Sequence, residues 1–516
     1  MYARVLTASL FGLSCEKTWA EVDCENGLPG FSVVGLANQA IKESRERIKS
    51  AIINCDYEFP TSKITVNLTP ANIKKDGSHF DLPIALALLI SADIAKVKDY
   101  DNSLAKGNIA CIGELSLDGK VNPVDGALSM IIGLQKEGVT RIIIPKGNFS
   151  EARLVKGMLL YPVETLKDAI DHITGYVPIK PFEADGLDES SSGALIPDFS
   201  DIKGQEMVKR AAQVAAAGMH GMLMLGPPGV GKSMVGKRIP GIMPPLSYKE
   251  KLEVTQIYSV AGLLSEKRPM ISERPFRSPH HSISGISLVG GGTYPSPGEI
   301  SLAHNGVLFL DEFPEFKMQT LDMLRQPLED GEVSIVRING KVTYPSRFML
   351  VAAMNPCRCG YYGDPVKPCT CTATERERYI GKISGPLLDR IDIHVVMERI
   401  IYEDIATHKN IKTTDTKTLR EKVMVANKIQ EERYKKLSID YNSQLTPKLI
   451  EKFCGLDNNS KSLMEAAFSR WNMSARQYHR ILKVSRTIAD LDESENIKEG
   501  HLLEALNYRI PEKYFR

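Results

Sequence analysis

The sequence predicts an α/β protein of several domains, and three observations support this prediction. The chain has 516 residues. This is more than a single hydrophobic core can organise, which indicates about three domains. Short β-like runs alternate with helical patterns from residue 1 to about residue 400, and a strongly helical segment follows. A glycine-rich turn at residues 226–233 joins an apolar run to a helical pattern. We therefore expect two α/β domains followed by a helical one.

The composition limits the function classes. Hydrophobic residues make up 43% of the chain and charged residues 25%, as in soluble globular proteins. The formal net charge of +2 gives no general basic character, so any nucleic-acid contact must come from local patches. The N-terminus lacks a basic segment followed by an apolar one, and no apolar run reaches the ~18 residues of a membrane span. We expect a cytoplasmic protein that does not associate with membranes.

Residues 1–175 form the first predicted domain, an α/β unit. The three β-like runs and two helical patterns that support it are residues 31–34, 64–68, 141–145, 38–53 and 82–94. Residues 176–200 then contain prolines and an acidic run rich in serine and glycine, without apolar periodicity. That composition is typical of a flexible linker, so a domain boundary is expected there.

The second predicted domain, residues 201–400, begins with a helical pattern at 206–217 and contains a phosphate-binding loop. Residues 226–233 have the spacing G-x-x-x-x-G-K-S, in which backbone N–H groups surround a polyphosphate at a helix N-terminus. The lysine contacts the β- and γ-phosphates, and the serine hydroxyl binds Mg²⁺. The candidate nucleotide-binding residues are Gly226, Pro227, Pro228, Gly229, Val230, Gly231, Lys232 and Ser233. This spacing predicts binding of ATP with Mg²⁺.

Two further strands are predicted to complete the hydrolytic site. Residues 306–310 form an apolar run that ends in Asp311 and Glu312, the second signature of nucleotide hydrolysis. Asp311 is expected to hold the Mg²⁺ shell, and Glu312 to orient or deprotonate the attacking water. The run 348–354 ends at Asn355, a polar residue that can position that water.

Two arginines lie in segments that resemble motifs of AAA+ ATPases. Arg390 lies within Gly-Pro-Leu-Leu-Asp-Arg, and Arg476 within Ser-Ala-Arg. They resemble the arginine finger and sensor 2 of that superfamily, in which Asn355 would be sensor 1. The alternative is that each arginine forms a surface ion pair. An arginine finger that acts on a neighbour's nucleotide implies a homo-oligomeric ring.

Two insertions between these motifs resemble the pore-lining elements of magnesium chelatase and the MCM helicases. Residues 274–298 are rich in glycine and proline, as in a helix-2 insert. Residues 332–344 form two β-like runs around Asn-Gly, the sequence of a type I′ hairpin turn. The candidate DNA-contacting residues are Arg337, Lys341, His280 and His281. The basic pair could equally be solvated, and the histidines could bind metal or form local hydrogen bonds.

Four cysteines are concentrated in one loop. Cys357, Cys359, Cys369 and Cys371 form two C-x-C pairs that are separated by nine residues. Four thiolates suffice for a tetrahedral Zn²⁺ site, and a reducing cytosol favours metal over disulfides. The alternative is a loop without metal that is open to oxidation.

The third predicted domain, residues 401–516, is a helical lid. Its predicted helices cover residues 419–437, 447–453, 460–471, 475–492 and 499–507. Arg476 begins one of them, as expected for the sensor of an AAA+ lid.

The first domain resembles the proteolytic domain of Lon. The resemblance covers residues 75–88 and 112–124, which correspond to the segments that carry and precede the Ser and Lys of the Lon dyad. Aligned without gaps, His79 takes the place of the serine and Leu128 that of the lysine. Ser78 could substitute for the serine by a one-residue shift, but its base would still be missing. We expect an inactive domain that serves as a scaffold or binding platform.

The order of these motifs along the whole chain resembles the YifB/ComM family of magnesium chelatase-like AAA+ ATPases. The resemblance implies a hexameric, ATP-driven DNA motor with helicase or branch-migration activity in DNA recombination or natural transformation competence. Two alternatives stay open: a magnesium chelatase-type motor that acts on a protein or porphyrin partner, and a pseudoprotease scaffold that uses ATP to assemble.

Overall fold

The computed structural model describes residues 2–35, 39–71, 75–97, 103–186, 197–292, 295–337, 340–399 and 414–509. The strands are β1 Tyr2–Phe11, β2 Ser14–Glu25, β3 Gly30–Val34, β4 Lys63–Thr69, β5 Ile109–Cys111, β6 Glu114–Leu115, β7 Val121–Asn122, β8 Arg141–Pro145, β9 Leu159–Val163, β10 Phe182–Glu183, β11 Met222–Leu225, β12 Phe276–Arg277, β13 Gly290–Gly291, β14 Ser296–Pro297, β15 Val307–Leu310, β16 Glu332–Arg337, β17 Gly340–Pro345, β18 Met349–Met354 and β19 Ile393–Val396.

The α-helices are α1 Gln39–Asn54, α2 Asp81–Ser91, α3 Ala127–Lys136, α4 Phe149–Ala152, α5 Leu166–Thr174, α6 Glu206–Gly218, α7 Lys232–Ile242, α8 Tyr248–Val260, α9 Gly285–Val289, α10 Glu299–Leu302, α11 Met318–Asp322, α12 Arg325–Asp330, α13 Ala373–Ile380, α14 Gly385–Leu388, α15 Thr416–Tyr434, α16 Pro447–Phe453, α17 Asn458–Trp471, α18 Ala475–Leu491 and α19 Glu499–Asn507. Short 3₁₀ helices cover Ser78–Phe80, Lys146–Asn148, Phe199–Asp201, Phe313–Glu315 and Asn442–Gln444.

The N-terminal unit is built on a mixed sheet with the strand order β10-β9-β8-β5-β1-β2-β4-β3. The central strand β1 is apolar on both faces: Val5 belongs to the core under α2, and Leu6 to the core under α3. A strand covered by helices on both faces needs no polar side, which explains why apolar residues of β1 lie on both faces.

The predicted strands and helices of this unit are found with small shifts. The runs 31–34, 64–68 and 141–145 lie in β3, β4 and β8, and the helical pattern 38–53 corresponds to α1. Residue 38 lies outside the described residues. The prediction of a buried helix to residue 94 is wrong at its end, because α2 stops at Ser91 and Asp93 adopts a left-handed φ of 59°.

Part of the predicted linker has regular structure. Phe182–Glu183 pairs with β9 as an edge strand of the N-terminal sheet, and Phe199–Asp201 forms a 3₁₀ helix. The expectation of a flexible linker over residues 176–200 therefore does not extend to these two segments. Residues 187–196 lie outside the described residues.

The second sheet has the order β12-β15-β18-β11-β19, and every pairing in it is parallel. The predicted runs 306–310 and 348–354 correspond to β15 and β18, and the helical pattern 206–217 to α6. Because parallel strands run in one direction, the segments that follow β11, β15 and β18 meet at the same edge of the sheet. This edge carries the phosphate-binding loop, Asp311 and Asn355.

The two faces of this sheet pack against different parts of the chain. Met222 and Phe309 belong to a core that includes the helical C-terminal unit, with Val423 and Ile488. Their strand neighbours face the other way, toward a core that contains Tyr344 of the hairpin. The sheet thus separates the lid from the hairpin.

The hairpin has a different register from the predicted one. Arg337 pairs with Gly340, so Gly340 is the first residue of a strand rather than part of the turn, and residues 338–339 lie outside the described residues. At its base the Tyr344 hydroxyl donates to the carbonyl oxygen of Pro295 at 2.7 Å. A Cβ atom at Gly12 would lie 2.3 Å from Cγ1 of Val342. The hairpin therefore contacts both the insert and the N-terminal unit.

The helical unit contains the five predicted helices, with α15 beginning and ending three residues earlier than predicted. One anchor within this unit is Asp490, a fully buried carboxylate. Asp490 accepts hydrogen bonds from Arg433 at 2.8 Å, Arg486 at 3.1 Å and Asn442 at 2.8 Å. These bonds satisfy the buried charge and fix α18, whose first turn carries Arg476.

Candidate nucleotide-binding site

The phosphate-binding loop connects β11 to α7. Gly229 and Gly231 have φ angles of 82° and 94°, a left-handed conformation that residues with a Cβ atom adopt only at a cost. Gly231 is the N-cap of α7, so the first N–H groups of that helix face the concave side of the loop. The loop thus has the shape and the donors of an anion site.

Lys232 is held inside the loop by three oxygen acceptors. Its Nζ donates to the carbonyl oxygens of Gly226 and Pro227 at 2.7 and 2.9 Å, and to Oδ1 of Asn355 at 3.0 Å. Burial lowers the pKa of Lys232 to about 8, against the opposite influence of Asp311. The ammonium group of Lys232 is therefore positioned beside Asn355. The negative charge of Asp311 offsets only part of the cost of burying it.

Ser233 and Asp311 form the oxygen pair expected for Mg²⁺. The Ser233 hydroxyl donates to Oδ2 of Asp311 at 2.6 Å, while Oδ1 accepts from the backbone N–H of Glu312 at 2.9 Å. A hydroxyl and a carboxylate are hard oxygen ligands that suit Mg²⁺, which completes its shell with water and phosphate. These two residues fit the ion and would hold it.

Glu312 lies at the tip of β15 with its backbone in the left-handed region, at a φ of 51°. Its carboxylate Oε2 is 3.1 Å from Nδ1 of His281. His281, predicted as a DNA-contacting residue, therefore lies against the predicted catalytic carboxylate. The neighbouring His280 bonds to the Ser282 hydroxyl at 2.8 Å, the local hydrogen bond that we considered as an alternative.

Arg390 and Arg476 do not join this group. Arg390 precedes β19, and its carbonyl oxygen lies 3.7 Å from where a Cβ of Gly221 would be, just before β11. The four residues of β11 span about 13 Å between this edge and the phosphate-binding loop. Both arginines instead bond to Glu329: Arg390 at 2.5 Å and Arg476 at 2.6 Å. The predicted catalytic residues thus divide between opposite edges of the sheet.

The four cysteines of the loop come together. Their Sγ atoms all lie within 4.8 Å of one another. The pairs Cys357–Cys359, Cys357–Cys369 and Cys359–Cys369 are 3.3, 3.6 and 3.5 Å apart. Tetrahedral zinc with bonds of about 2.3 Å places its sulfurs about 3.8 Å apart, so the cluster fits Zn²⁺ after a small expansion.

The electrostatics and packing of this loop also suit a metal site beside the nucleotide. Burial opposes ionisation of Cys359, but hydrogen bonds from the backbone of Tyr361 and Thr370 outweigh it and lower the pKa of the thiol to about 5. A Cβ at Gly360 would lie 2.7 Å from Cδ of Pro228 and 3.9 Å from Cγ of Asn355. The cysteine loop therefore packs against the phosphate-binding loop.

The remaining DNA candidates lie on the hairpin. Lys341 is exposed and pairs with Val336 across the two strands. The side chain of Arg337 lies outside the described part of the structure. Both positions belong to the part of the hairpin nearest its tip.

The Lon-like segments hold their polar groups in structural contacts. The Ser78 hydroxyl donates to Glu114, and the buried ring of His79 bonds through Nε2 to the carbonyl oxygen of Ala8 at 2.9 Å. Burial lowers the pKa of His79 to about 4. Leu128 lies in the core beneath α3. The position that we expected to correspond to the lysine base of Lon thus holds a buried aliphatic side chain.

Comparison with known proteins agrees with this arrangement along the whole chain. The family description "Magnesium chelatase, subunit ChlI" matches residues 198–405, "Subunit ChlI of Mg-chelatase" matches 20–148, and the ChlI C-terminal description matches 413–509. The competence protein ComM of Haemophilus influenzae is 41% identical over 512 residues, covering 98% of this chain and 97% of that protein. The chain belongs to the YifB/ComM family of magnesium chelatase-like proteins.

Other relatives extend the comparison. YifB of Escherichia coli is 40% identical over 506 residues, covering 98% of this chain and 96% of that protein. Lon protease of Chloroflexus aurantiacus is 26% identical over 187 residues, or 35% of this chain and 20% of the protease. Among the described helices of this YifB/ComM family member, none has both the length and the apolar composition needed to cross a bilayer.

We predict that the affinity for Mg-ATP depends on the charge of Lys232. Below about pH 8 the lysine of the free chain is protonated; above it, binding must restore the proton. The affinity should be constant below pH 8 and fall by up to about tenfold per pH unit above it, with proton uptake. Calorimetry of Glu312→Gln between pH 7 and 9.5, in buffers of different ionisation enthalpy, measures both.

The terminal phosphate ionises at about pH 6 and stays charged over this range, so it does not produce the same trend. A constant affinity without proton uptake would contradict the assignment of Lys232 to the phosphates.

Proposed function

We propose that this chain is a Mg²⁺-dependent ATPase that assembles into a ring, a hexamer, and uses ATP hydrolysis to move DNA. Helicase or branch-migration activity in DNA recombination or natural transformation would be its output. The observation that carries this proposal is the convergence of Lys232, Ser233, Asp311 and Asn355 through direct hydrogen bonds at one edge of a parallel sheet. The name of its relative, competence protein ComM, supports the connection to DNA uptake.

Each residue at that edge has a chemical task. The loop N–H groups and Lys232 bind the phosphates, and Ser233 with Asp311 holds Mg²⁺, which would neutralise phosphate charge. Glu312 orients the attacking water, assisted by Asn355. None of these residues places a positively charged side chain on the γ-phosphate from outside the loop. An arginine from a neighbouring subunit usually has this role.

The position of Arg390 and Arg476 supports a site shared between subunits. Both lie at the sheet edge opposite the phosphate-binding loop, and Arg476 is partly exposed with 43% of its side chain accessible. In one chain they are separated from the γ-phosphate by the length of β11. In a closed ring the two edges of adjacent subunits face each other, so one subunit's arginines complete the other's site.

We predict that two inactive variants restore each other's activity. Glu312→Gln retains Arg390 but cannot activate water, while Arg390→Ala retains Glu312 but lacks the finger. In a mixture, Glu312→Gln subunits supply Arg390 to the intact catalytic edge of Arg390→Ala neighbours. ATP hydrolysis should rise at least about tenfold above the sum of the separate variants.

The control is a mixture of Arg390→Ala with the double variant that carries both Lys232→Ala and Arg390→Ala. No subunit in this mixture has Arg390. Equal rates in the two mixtures would contradict a shared site.

The surface beside the shared site supports a polymer substrate. The hairpin carries the exposed Lys341 near its tip and is joined at its base to the glycine-rich insert by the bond between Tyr344 and Pro295. His281 leads from that insert to Glu312. A phosphate backbone bound by the hairpin would therefore contact elements that reach the hydrolytic carboxylate.

We predict that Lys341→Ala removes most of the stimulation of ATPase activity by DNA and leaves the rate without DNA unchanged. The loss of one phosphate contact should also reduce the slope of log affinity against log salt by about one. Rates with single-stranded, duplex and branched DNA are compared with those of Lys461→Ala, which removes an exposed lysine from α17. Equal stimulation by DNA in the wild type, Lys341→Ala and Lys461→Ala would argue against the hairpin as a DNA contact.

A chelatase motor is the second candidate, because the matching family descriptions name magnesium chelatase. Such a motor would accelerate ATP hydrolysis in response to a porphyrin and partner subunits, and would not respond to DNA. The same ATPase assay therefore distinguishes the two functions.

We also propose that Cys357, Cys359, Cys369 and Cys371 bind structural zinc. The purified protein should contain about one zinc per chain, and Cys359→Ser should lose it. Because Gly360 packs on Pro228, the loss of zinc should weaken ATP binding by about fivefold or more. Cys55→Ser, which changes an isolated cysteine, is the control. Metal-free protein with four freely titratable thiols would contradict the proposal.

A further inference from the structure

Glu329 is the common partner of the two arginines at the subunit-facing edge. It lies in α12 and accepts from Arg390 through Oε2 and from Arg476 through Oε1. The two arginines are 86 residues apart in sequence, yet each donates to one oxygen of the same carboxylate. None of the motifs described above contains Glu329, and within the part of the chain that the structure describes it makes no hydrogen bond to Lys232, Ser233, Asp311 or Asn355.

The guanidinium of Arg390 has an unused donor. Its side chain is only 11% exposed, and it donates to the carbonyl oxygen of Pro386 at 2.7 Å and to Glu329. Its Nε atom is buried and has no hydrogen-bond partner among the residues that the structure describes. An unpaired buried N–H is costly, so the site can accept one more oxygen than Glu329 supplies.

The two arginines belong to one packed assembly, whereas Glu329 comes from another element. Gln477 in the first turn of α18 bonds to Asp389 at 3.4 Å, and Arg480 donates to the carbonyl oxygen of Ile391 at 3.1 Å. These bonds fix Arg476 relative to Arg390. Glu329 is half exposed, at 51%, so its side chain can rotate away without disturbing either arginine.

Space for a larger anion exists beside this cluster. A cleft of about 1110 Å³ opens there, lined by Glu329, Arg390 and Arg476 together with residues of α18 and the base of the hairpin. Two guanidinium groups that converge on one carboxylate form the geometry that also binds a phosphate, with more oxygens and more charge.

We propose that Glu329 is a stand-in anion: in the free subunit its carboxylate occupies the place between Arg390 and Arg476 where the neighbour's γ-phosphate docks in the ring. This inference rests on the proposed shared site and assigns to Glu329 the regulation of its assembly. Docking exchanges one anion for another, so the carboxylate competes with the phosphate. Glu329 therefore raises the subunit concentration at which the ring forms.

The charge of Glu329 is maintained over the neutral range. The hydrogen bond from Arg390 holds the pKa of the carboxyl below its usual range, against a small opposing effect of burial, and the bond from Arg476 adds to it. Glu329 is therefore ionised over the same pH range as the phosphates of ATP. Removing its charge leaves two adjacent cations without a counter-ion, which favours the incoming phosphate.

The experiment replaces the charge and keeps the shape, with Glu329→Gln. Sedimentation velocity over a range of protein concentrations, with Mg²⁺ and a slowly hydrolysed ATP analogue, gives the concentration of half-assembly. We expect this concentration to fall about tenfold, and the concentration dependence of ATPase activity to shift in parallel. Glu332→Gln is the matched control: Glu332 lines the same cleft, is exposed, and forms no ion pair within the described ranges. Its half-assembly concentration should equal that of the wild type.

Two results would overturn the inference. The first is an unchanged or higher half-assembly concentration for Glu329→Gln. The second is a rate at saturating protein that falls as far as that of Arg390→Ala, because Glu329 would then position the arginines for catalysis and not compete for them. Failure of the proposed function is seen separately: if the Glu312→Gln and Arg390→Ala mixture stays inactive, the shared site is wrong whatever Glu329→Gln does.

Discussion

The direction of the strands in the second sheet is the constraint on which the site depends. Because β12, β15, β18, β11 and β19 all run in parallel, the sheet has two chemically different edges. Phosphate-binding groups follow the strands at one edge, and Arg390 precedes a strand at the other. The residues that we propose to bind the phosphates and the two arginines that we propose to complete the site therefore lie at opposite edges of the sheet.

The second constraint is the burial of both faces of that sheet. Alternate residues of β11 and β15 belong to two separate cores, and each core attaches a different part of the chain to the sheet. The core on one face joins the sheet to α18, which carries Arg476. The core on the other face joins it to the hairpin and to the cysteine loop. In the proposed ring, changes at the nucleotide would reach the subunit interface and the hairpin through different side chains of the same strands.

Much of the fold and of the hydrolytic edge was predictable because the signals are local. The spacing of Gly226 to Ser233, and the run of apolar residues before Asp311, each lie within one strand and one turn. The contacts that sequence reasoning missed join distant segments: Glu329 with Arg390 and Arg476, Gly360 with Pro228, and His281 with Glu312. Spacing along the chain contains no information about such pairs, since they follow from the packing of separate elements.

The errors at the ends of elements have the same cause. Helix α2 ends before the predicted residue because Asp93 turns the backbone, and the hairpin register differs because Gly340 pairs with Arg337. The edge strand Phe182–Glu183 was not predicted, because two residues carry no periodicity and only the free edge of β9 gives them a partner. A local pattern gives the type of an element more securely than its limits.

The contact of Gly12 with Val342 has a mechanical consequence. A Cβ atom added at Gly12 would lie 2.3 Å from Cγ1 of Val342, so there is no room for even one methyl group at this position. The middle of the hairpin therefore has no clearance toward the turn between β1 and β2. If the hairpin moved in that direction, the contact between Val342 and this turn could not become any closer. The movement would instead press on the turn between β1 and β2 of the N-terminal sheet.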